Sequence, residues 1–240
     1  MNIKNGNFDK FGKRRISKKY IKIDEYSVQY LKNVKLSNEL VIVGMKPGNE
    51  PIIARKIQSD FGYPEDIFMS DSVKTFSTKE LKTISKSIVK AMKKMGIVNR
   101  KHLPILVIVG DIEMSASGLA AYDIRTNSIK IYYGLGDKKR WVDLMKGVAI
   151  PGNPIGTYVH ELYHWIEAEK YIKQFGPIIT IEDQRKYLDK MNTDGKEFVD
   201  KLIEDGYDVF EISEYASKSF IKGRYDEVRT EYRTKILLGG

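Results

Sequence analysis

Apolar positions along residues 76–240 follow helical spacing in some stretches and strand spacing in others, and they predict an ordered series of elements. Ser77 and Glu80 have the spacing of a helix capping box, and apolar residues then recur every three or four positions up to Gly96. The uninterrupted apolar run at residues 105–109 predicts a buried strand. Two apolar stretches separated by a short polar turn predict a β-hairpin, at residues 120–124 and 128–132.

The second half of the chain is predicted to be mainly helical. Asn153 and Pro154 are typical of a helix start, because Asn can cap the helix and Pro at the first position loses no needed hydrogen bond. This helix is expected to run to about residue 174, with Gly176 as its stop. The other elements are predicted as helices at residues 141–145, 181–191, 196–203 and 225–237, and as an extended segment at residues 207–212.

The region before residue 75 gives weaker signals. Residues 40–43 predict a short strand followed by a turn at residues 47–48, and residues 62–77 are predicted to be connecting structure. We therefore place a domain boundary near residue 75, with a basic arm and a small unassigned region at 1–75 and one further domain at 76–240. The order of helix, strand, hairpin and further helices predicts an α+β fold.

Composition and charge narrow the chemistry. The chain has no cysteine, which excludes disulfides and thiolate metal sites, so metal ligands must come from His, Asp or Glu. The formal net charge of +9 is concentrated in residues 1–22, where eight basic side chains accompany one aspartate. A solvated tail is the simpler interpretation, and the alternative is a docking arm for an anionic partner, either nucleic acid or an acidic protein surface.

Membrane insertion and secretion are not expected from the sequence. No run of about 18 apolar residues is present, so no membrane span is predicted. The basic N-terminal segment lacks the apolar stretch of a secretory signal peptide, so the expected location is cytoplasmic.

The strongest chemical signal is HELYH at residues 160–164, which holds two of the three histidines of the chain. Residues four apart share one face of a helix, so His160 and His164 can bind a single ion. Zinc accepts neutral imidazole and leaves a position for water. Glu161 lies beside that water and can act as general base. The alternative is a pair of surface histidines on a solvated helix.

A catalytic zinc site needs one more protein ligand. The third histidine, His102, is predicted to be a surface residue in a turn, so a carboxylate is expected. Glu227 and Glu231 are four apart on the predicted C-terminal helix and share one face. Glu227 can bind the ion, while Glu231 accepts a hydrogen bond from the outer N–H of a ligand histidine. The alternative is a charged helix that makes ordinary surface ion pairs.

Four segments together carry a resemblance to a known group. In chain order they are HELYH at 160–164, FVDKLI at 198–203, ISEYA at 212–216 and a Glu-x-x-x-Glu motif at 227–231. This combination resembles the catalytic domain of the anthrax toxin lethal factor family and is similar to the related zincin-like domains of bacteriophage head proteins. The resemblance covers roughly residues 76–240 in element order. It implies a zincin-like α+β fold with a small twisted sheet, an active-site helix and a C-terminal helical subdomain.

The resemblance also implies an activity, that of a zinc-dependent metallopeptidase acting on a peptide or protein substrate. It implies that Tyr215 lies near the site, where its hydroxyl can hydrogen-bond the oxyanion or the leaving amine. It further implies that an edge strand pairs with extended substrate. In this chain the expected substrate-binding residues are Leu119, Ala120, Ala121 and Tyr122.

This sequence departs from the family pattern in two places. The segment between Tyr215 and Glu227 is longer, and Thr230 stands where a small alanine is usual. Glu214 and Asp226 therefore remain alternatives to Glu227 as the third ligand. The alternative function is a non-catalytic phage or virion structural or assembly protein that retains a zincin-like fold, in which case a virion-associated location is expected.

Overall fold

The computed structural model describes residues 34–35, 40–46, 50–57, 61–114, 118–150 and 152–239. The basic segment 1–22 and the turn at residues 47–48 lie outside these ranges, so the arm hypothesis stays a prediction.

The described strands form one mixed sheet of seven strands in the order β1-β2-β3-β4-β5-β7-β6. Their bounds are β1 Val34–Lys35, β2 Leu40–Met45, β3 Pro51–Ile57, β4 Ile67–Ser70, β5 Ile105–Val109, β6 Ala120–Asp123 and β7 Ser128–Tyr132. β5 is parallel to both of its neighbours, whereas the other pairs are antiparallel. The predicted strands at 40–43 and 105–109 and the predicted hairpin are confirmed. β6 lies at one edge of the sheet.

Six α-helices accompany this sheet in the described ranges. They are α1 Thr78–Met95, α2 Trp141–Leu144, α3 Pro154–Phe175, α4 Ile181–Glu204, α5 Glu214–Ile221 and α6 Tyr225–Leu238. The predicted α+β fold class is therefore confirmed. Considered singly, none of the helices in the described part of the chain has both the length and the apolar character of a transmembrane segment.

Local capping sets the ends of α1 and α3, as predicted. The Ser77 hydroxyl accepts from the Glu80 amide at 3.2 Å, and the Glu80 carboxylate accepts from the Ser77 amide at 2.6 Å. Gly96 ends α1 in the left-handed region with φ of 68°. α3 begins at Pro154. Asn153 caps this helix, and its side-chain oxygen accepts a hydrogen bond from the Ile155 amide at 3.1 Å.

β4 corrects the prediction that residues 62–77 are only connecting structure. This four-residue strand pairs with β3 on one side and with β5 on the other. Ile67, Phe68 and Ser70 are buried, and so short a run gives no recognisable alternation. The hydrogen bonds of β4 join the strands on both sides of position 75 into one sheet.

The predicted break between two helices at residues 191–196 and the predicted extended segment at residues 207–212 are both wrong. Residues 181–191 and 196–203 belong to one continuous helix, α4, and residues 209–211 form a 3-10 turn instead of an extended segment. Gly195 lies between the two predicted helices and is buried within α4. A Cβ there would stand 2.4 Å from the Asp226 backbone nitrogen and 2.6 Å from the Tyr225 carbonyl carbon. This glycine therefore permits α6 to begin against α4.

The main hydrophobic core lies between the sheet and the helices α1 and α3. It includes Ile84 and Ile88 of α1, Ile129 and Ile131 of β7, and Leu162 and Trp165 of α3. A separate cluster joins α4, α5 and α6 and includes Val199, Ala216 and Val228. The main core holds α3 against the sheet, and the second cluster packs α4, α5 and α6 against one another. α3 also contacts both β6 and α6.

Candidate metal centre

The Nε2 atoms of His160 and His164 on α3 converge on one point. Their Nε2 atoms lie 3.0 Å apart, and the two rings meet edge to face. His160 is buried, with 6% of its surface exposed. A solvated pair of histidines would be far more exposed, so the alternative of a surface pair does not describe this helix.

Glu227 of α6 completes a group of three donor atoms. Its Oε2 lies 2.9 Å from Nε2 of His160 and 3.5 Å from Nε2 of His164. Ligand atoms about 2.0–2.1 Å from a tetrahedral zinc stand about 3.4 Å apart, so the three atoms need to move only by a few tenths of an ångström. Within the described ranges, these residues form a group that could hold a metal ion. Two imidazoles and a carboxylate fit zinc and also other divalent transition metals.

Glu231 fixes the ring of His160 from the opposite side. Its Oε1 lies 2.9 Å from Nδ1 of His160, while its Oε2 accepts from the Ala149 amide at 2.9 Å and from the Ser213 hydroxyl at 2.7 Å. A carboxylate at Nδ1 places a proton there and turns Nε2 toward the centre. The structure thus places Glu231 where the sequence predicted it.

The charges of this cluster are strongly coupled. Burial lowers the pKa of the His160 ring, but hydrogen bonds to Glu227 and Glu231 outweigh it and raise the pKa well above its usual value. Burial raises the pKa of the Glu227 carboxyl, but the His164 and His160 rings hold the pKa well below its usual range. Glu227 is therefore held as a carboxylate, which is the form that binds a cation.

Glu161 lies at the open edge of the sheet. Its Oε2 accepts from the Tyr122 amide of β6 at 2.7 Å, and the side chain is buried. The Leu119 carbonyl accepts from the Tyr132 amide, so Leu119, Ala121 and Asp123 turn their backbone groups toward β7. The intervening residues, Ala120 and Tyr122, turn their backbone groups toward the open edge.

Tyr215 reaches the centre from α5. Its amide donates to the Gly147 carbonyl at 2.8 Å, and its hydroxyl donates to Oε2 of Glu227 at 3.0 Å. The Arg224 guanidinium donates to the same hydroxyl oxygen at 2.7 Å and lies 3.5 Å from Oε1 of Glu227. Burial raises the pKa of Tyr215, and the Glu227 charge raises it further, so the hydroxyl keeps its proton.

The other candidate ligands lie elsewhere. Glu214 is exposed and pairs with Lys218. Asp226 lines the cleft without joining the three-residue group, and burial raises the pKa of its carboxyl. His102 lies in an exposed turn with φ of 61°. Of the three acidic candidates, the structure brings Glu227 to the two histidines.

An open cleft of about 480 Å³ runs past the three-residue group. Of the predicted substrate-binding residues, Ala120, Ala121 and Tyr122 line this cleft, and Leu119 lines a smaller pocket beside it. Arg224 also lines the cleft, and no pattern in the sequence predicted a role for it. The only signal was its position in the longer segment before Glu227, which carries no recognisable motif.

A buried ion cluster between α3 and α6 was also missed. Glu167 accepts from Arg229 at 2.7 Å and from Arg233 at 2.6 Å, and the side chains of Glu167 and Arg229 are each 7% exposed. Glu167 lies seven residues after His160, so both side chains point to the same face of α3. This cluster fixes α6 where Glu227 and Glu231 reach the histidines.

The fold and site define an α+β protein with a His-His-Glu group at the edge of a mixed sheet. Comparisons with protein-family models, curated proteins and solved structures find no match to this chain.

Proposed function

We propose that this chain is a zinc-dependent metallopeptidase of the zincin type, which hydrolyses bonds in a peptide or protein substrate. One observation carries the proposal. Two imidazole nitrogens and the Glu227 carboxylate converge on one point, with Glu161 beside them at the open edge of a sheet.

When bound, zinc supplies Lewis-acid chemistry that allows water to lose a proton near neutral pH. His160, His164 and Glu227 would hold it, and Glu231 would keep the His160 ring oriented through its hydrogen bond to Nδ1. The roles of the remaining residues follow from their positions around this group.

Glu161 is the general base of the proposed reaction. Its carboxylate takes a proton from the attacking water, whose oxygen adds to the carbonyl carbon of the peptide bond. The same proton then passes to the amide nitrogen, the C–N bond breaks, and a carboxylate and an amine are released. The Tyr122 amide keeps the Glu161 carboxylate at the substrate edge throughout.

Tyr215 stabilises the charge that develops on the carbonyl oxygen. Its hydroxyl lies 3.0 Å from Glu227, and Arg224 donates to the hydroxyl oxygen, which makes its proton a better donor. The substrate backbone pairs with the outward-facing groups of β6 at Ala120, as an added strand.

The test combines metal analysis with peptide cleavage. We expect about one zinc per chain in metal-replete protein and cleavage of a mixed peptide library that a chelator stops and zinc restores. Glu161→Gln should retain zinc and lose cleavage by at least about 100-fold. The exposed variant Glu197→Gln on α4 is the matched control and should cleave like wild type.

Two results would reject the proposal. Metal-replete protein without stoichiometric zinc would remove its basis. Stoichiometric zinc without any cleavage, together with a Glu161→Gln protein indistinguishable from wild type in assembly, would favour the non-catalytic virion protein instead.

A further inference from the structure

Helix α1 carries all of its lysines on one face. All six are exposed, and they are Lys79, Lys82, Lys86, Lys90, Lys93 and Lys94. At 3.6 residues per turn, these positions fall within an arc of about 120° around the helix axis. The buried residues of α1, which include Ile84, Ile88 and Met92, occupy the opposite side. We refer below to the six exposed residues as the lysine face.

The lysine face is not neutralised by carboxylates of the described residues. Within those residues, none of the six lysines forms an ion pair. The ammonium group of Lys82 lies 5.9 Å from the centre of the Phe61 ring, a contact that leaves its charge in place. Glu80 is the one acidic residue of α1, and its carboxylate accepts from the amide and the hydroxyl of Ser77 at 2.6 Å each. The charge of Glu80 is therefore directed to the start of the helix.

Helix α4 shows the arrangement that an ordinary solvated helix has. Three of its lysines pair with a carboxylate four residues away, as Lys186 with Glu182, Lys190 with Asp194 and Lys196 with Asp200. Opposite charges at this spacing stabilise a helix, whereas like charges destabilise it. Lys82, Lys86 and Lys90 follow one another at this spacing and repel each other. The lysine face is thus unfavourable for the chain alone and becomes favourable against an anionic partner.

The composition of α1 indicates the chemistry of that partner. Thr83 and Ser87 lie on the same side as the lysines, and α1 contains no aromatic residue and no Arg, Asn or Gln. Protein interfaces favour aromatic residues and Arg over Lys, and proteins that bind single-stranded nucleic acid stack its bases on aromatic rings. Base edges are read mainly by Arg, Asn and Gln. Lys, Ser and Thr side chains contact phosphate oxygens, so the lysine face fits a duplex phosphate backbone best.

The length of the lysine face fits several phosphates at once. Lys79 and Lys93 lie about 21 Å apart along the helix axis, at 1.5 Å per residue. Duplex DNA carries one charge per about 1.7 Å of its axis, so about 12 phosphate charges lie along that length. Four or more lysines of one rigid helix can therefore contact phosphates together without any rearrangement of the chain.

We propose that the lysine face binds the phosphate backbone of double-stranded nucleic acid without sequence preference. This activity goes beyond the proposed peptidase function and does not depend on it. Among the described residues, none from α1 lines the cleft at the metal centre or the smaller pocket beside it. The two functions therefore use separate surfaces of the molecule.

The experiment measures binding of the full chain to a short fluorescein-labelled DNA duplex of mixed sequence by anisotropy, over a series of salt concentrations. Wild-type affinity should fall steeply as salt rises. The triple variant Lys82→Gln/Lys86→Gln/Lys90→Gln removes three charges and retains good helix formers. Its slope of log affinity against log salt should be shallower by about 2.7, at about 0.9 per phosphate contact, and its Kd should rise at least about 10-fold.

Two further variants assign the effect to the lysine face. Lys186→Gln/Lys190→Gln/Lys196→Gln removes the same net charge from α4 and should bind like wild type. Lys82→Arg/Lys86→Arg/Lys90→Arg keeps the charge of α1 and should also bind like wild type. Residues 1–22 are identical in all of these proteins, so a difference between the variants belongs to the helices. Absence of binding by wild type, or equal losses in the two glutamine variants, would overturn the inference.

A competition measurement distinguishes duplex nucleic acid from other polyanions. Poly-glutamate and single-stranded poly-thymidine, at equal concentrations of charge, should each displace the labelled duplex less well than unlabelled duplex does. Poly-glutamate that competes as well as duplex would overturn the assignment in favour of an acidic protein surface. Poly-thymidine that competes as well would overturn the preference for a duplex. Peptide cleavage by the glutamine variant of α1 should equal that of wild type, so failure of this inference leaves the proposed function in place.

Discussion

The backbone amide of Tyr122 donates a hydrogen bond of 2.7 Å to the carboxylate of Glu161. Tyr122 lies on the edge strand β6, and its amide points away from the sheet. The strand that would pair with substrate therefore also orients the proposed general base.

Tyr122→Pro tests this contact directly. Proline removes the amide proton, and an outward-facing position on an edge strand tolerates it because no sheet hydrogen bond is lost. We expect zinc binding to persist and kcat/KM to fall by about 10-fold or more, as Glu161 loses its fixed orientation. Tyr122→Ala keeps the amide and removes the same packed ring, so it serves as the control. A proline variant with the activity of the alanine variant would show that the amide does not orient the base.

Zinc affinity should distinguish three acidic residues of the C-terminal helices. Glu227→Gln should lose stoichiometric zinc, because a neutral amide is a poor third ligand. Glu231→Gln should weaken zinc binding by about 10–100-fold through the His160 ring. Glu214→Gln, the exposed control, should bind zinc like wild type. Competition with a chromophoric chelator measures all three, and a Glu214→Gln protein weaker than Glu227→Gln would reverse the ligand assignment.

Gly195→Ala is expected to destabilise the protein, which is opposite to the usual effect of this substitution inside a helix. Ala in place of Gly inside a helix normally stabilises a protein by about 1 kcal/mol. At Gly195 the added Cβ meets the backbone of Asp226 at 2.4 Å, so we expect destabilisation of about 1–3 kcal/mol. Urea unfolding measures the change, with the exposed neighbour Glu197→Ala as the control. A Gly195→Ala protein more stable than wild type would mean that α4 and α6 are not so close.

The buried ion cluster between α3 and α6 should contribute more to the unfolding free energy than surface ion pairs do. Glu167→Ala leaves the buried Arg229 without its partner, so we expect a loss of about 3–5 kcal/mol in unfolding free energy. Asp200→Ala breaks the exposed pair with Lys196 on α4 and should leave the unfolding free energy nearly unchanged, because water and salt screen that pair. Similar losses in the two variants would argue against a special role of the cluster in placing α6.

Some elements could be predicted from the sequence because their signals are local. The capping residues Ser77 and Asn153 and the stop at Gly96 act within one helical turn, so the ends of α1 and α3 follow from neighbouring residues. The four-residue spacing of His160 and His164 likewise places both on one helix face before any tertiary contact forms.

Other elements depended on distant contacts and were predicted incorrectly. Gly195 has the local character of a helix break, but the backbone of α6 packs against it and α4 continues. The strand β4 has only four residues and becomes a strand because β3 and β5 pair on its two sides. A local pattern does not contain the partners that decide such cases.

The sequence by itself determined the α+β class, the helix that carries the histidines and the set of donor types left by the absence of cysteine. Only the tertiary structure decided that Glu227, 67 residues after His160, lies 2.9 Å from its ring, and that the Tyr122 amide faces Glu161. The physical reason is the range of the forces involved. Helix geometry fixes side chains one turn apart, whereas the approach of distant segments depends on the packing of whole helices and on buried pairs such as Glu167 with Arg229.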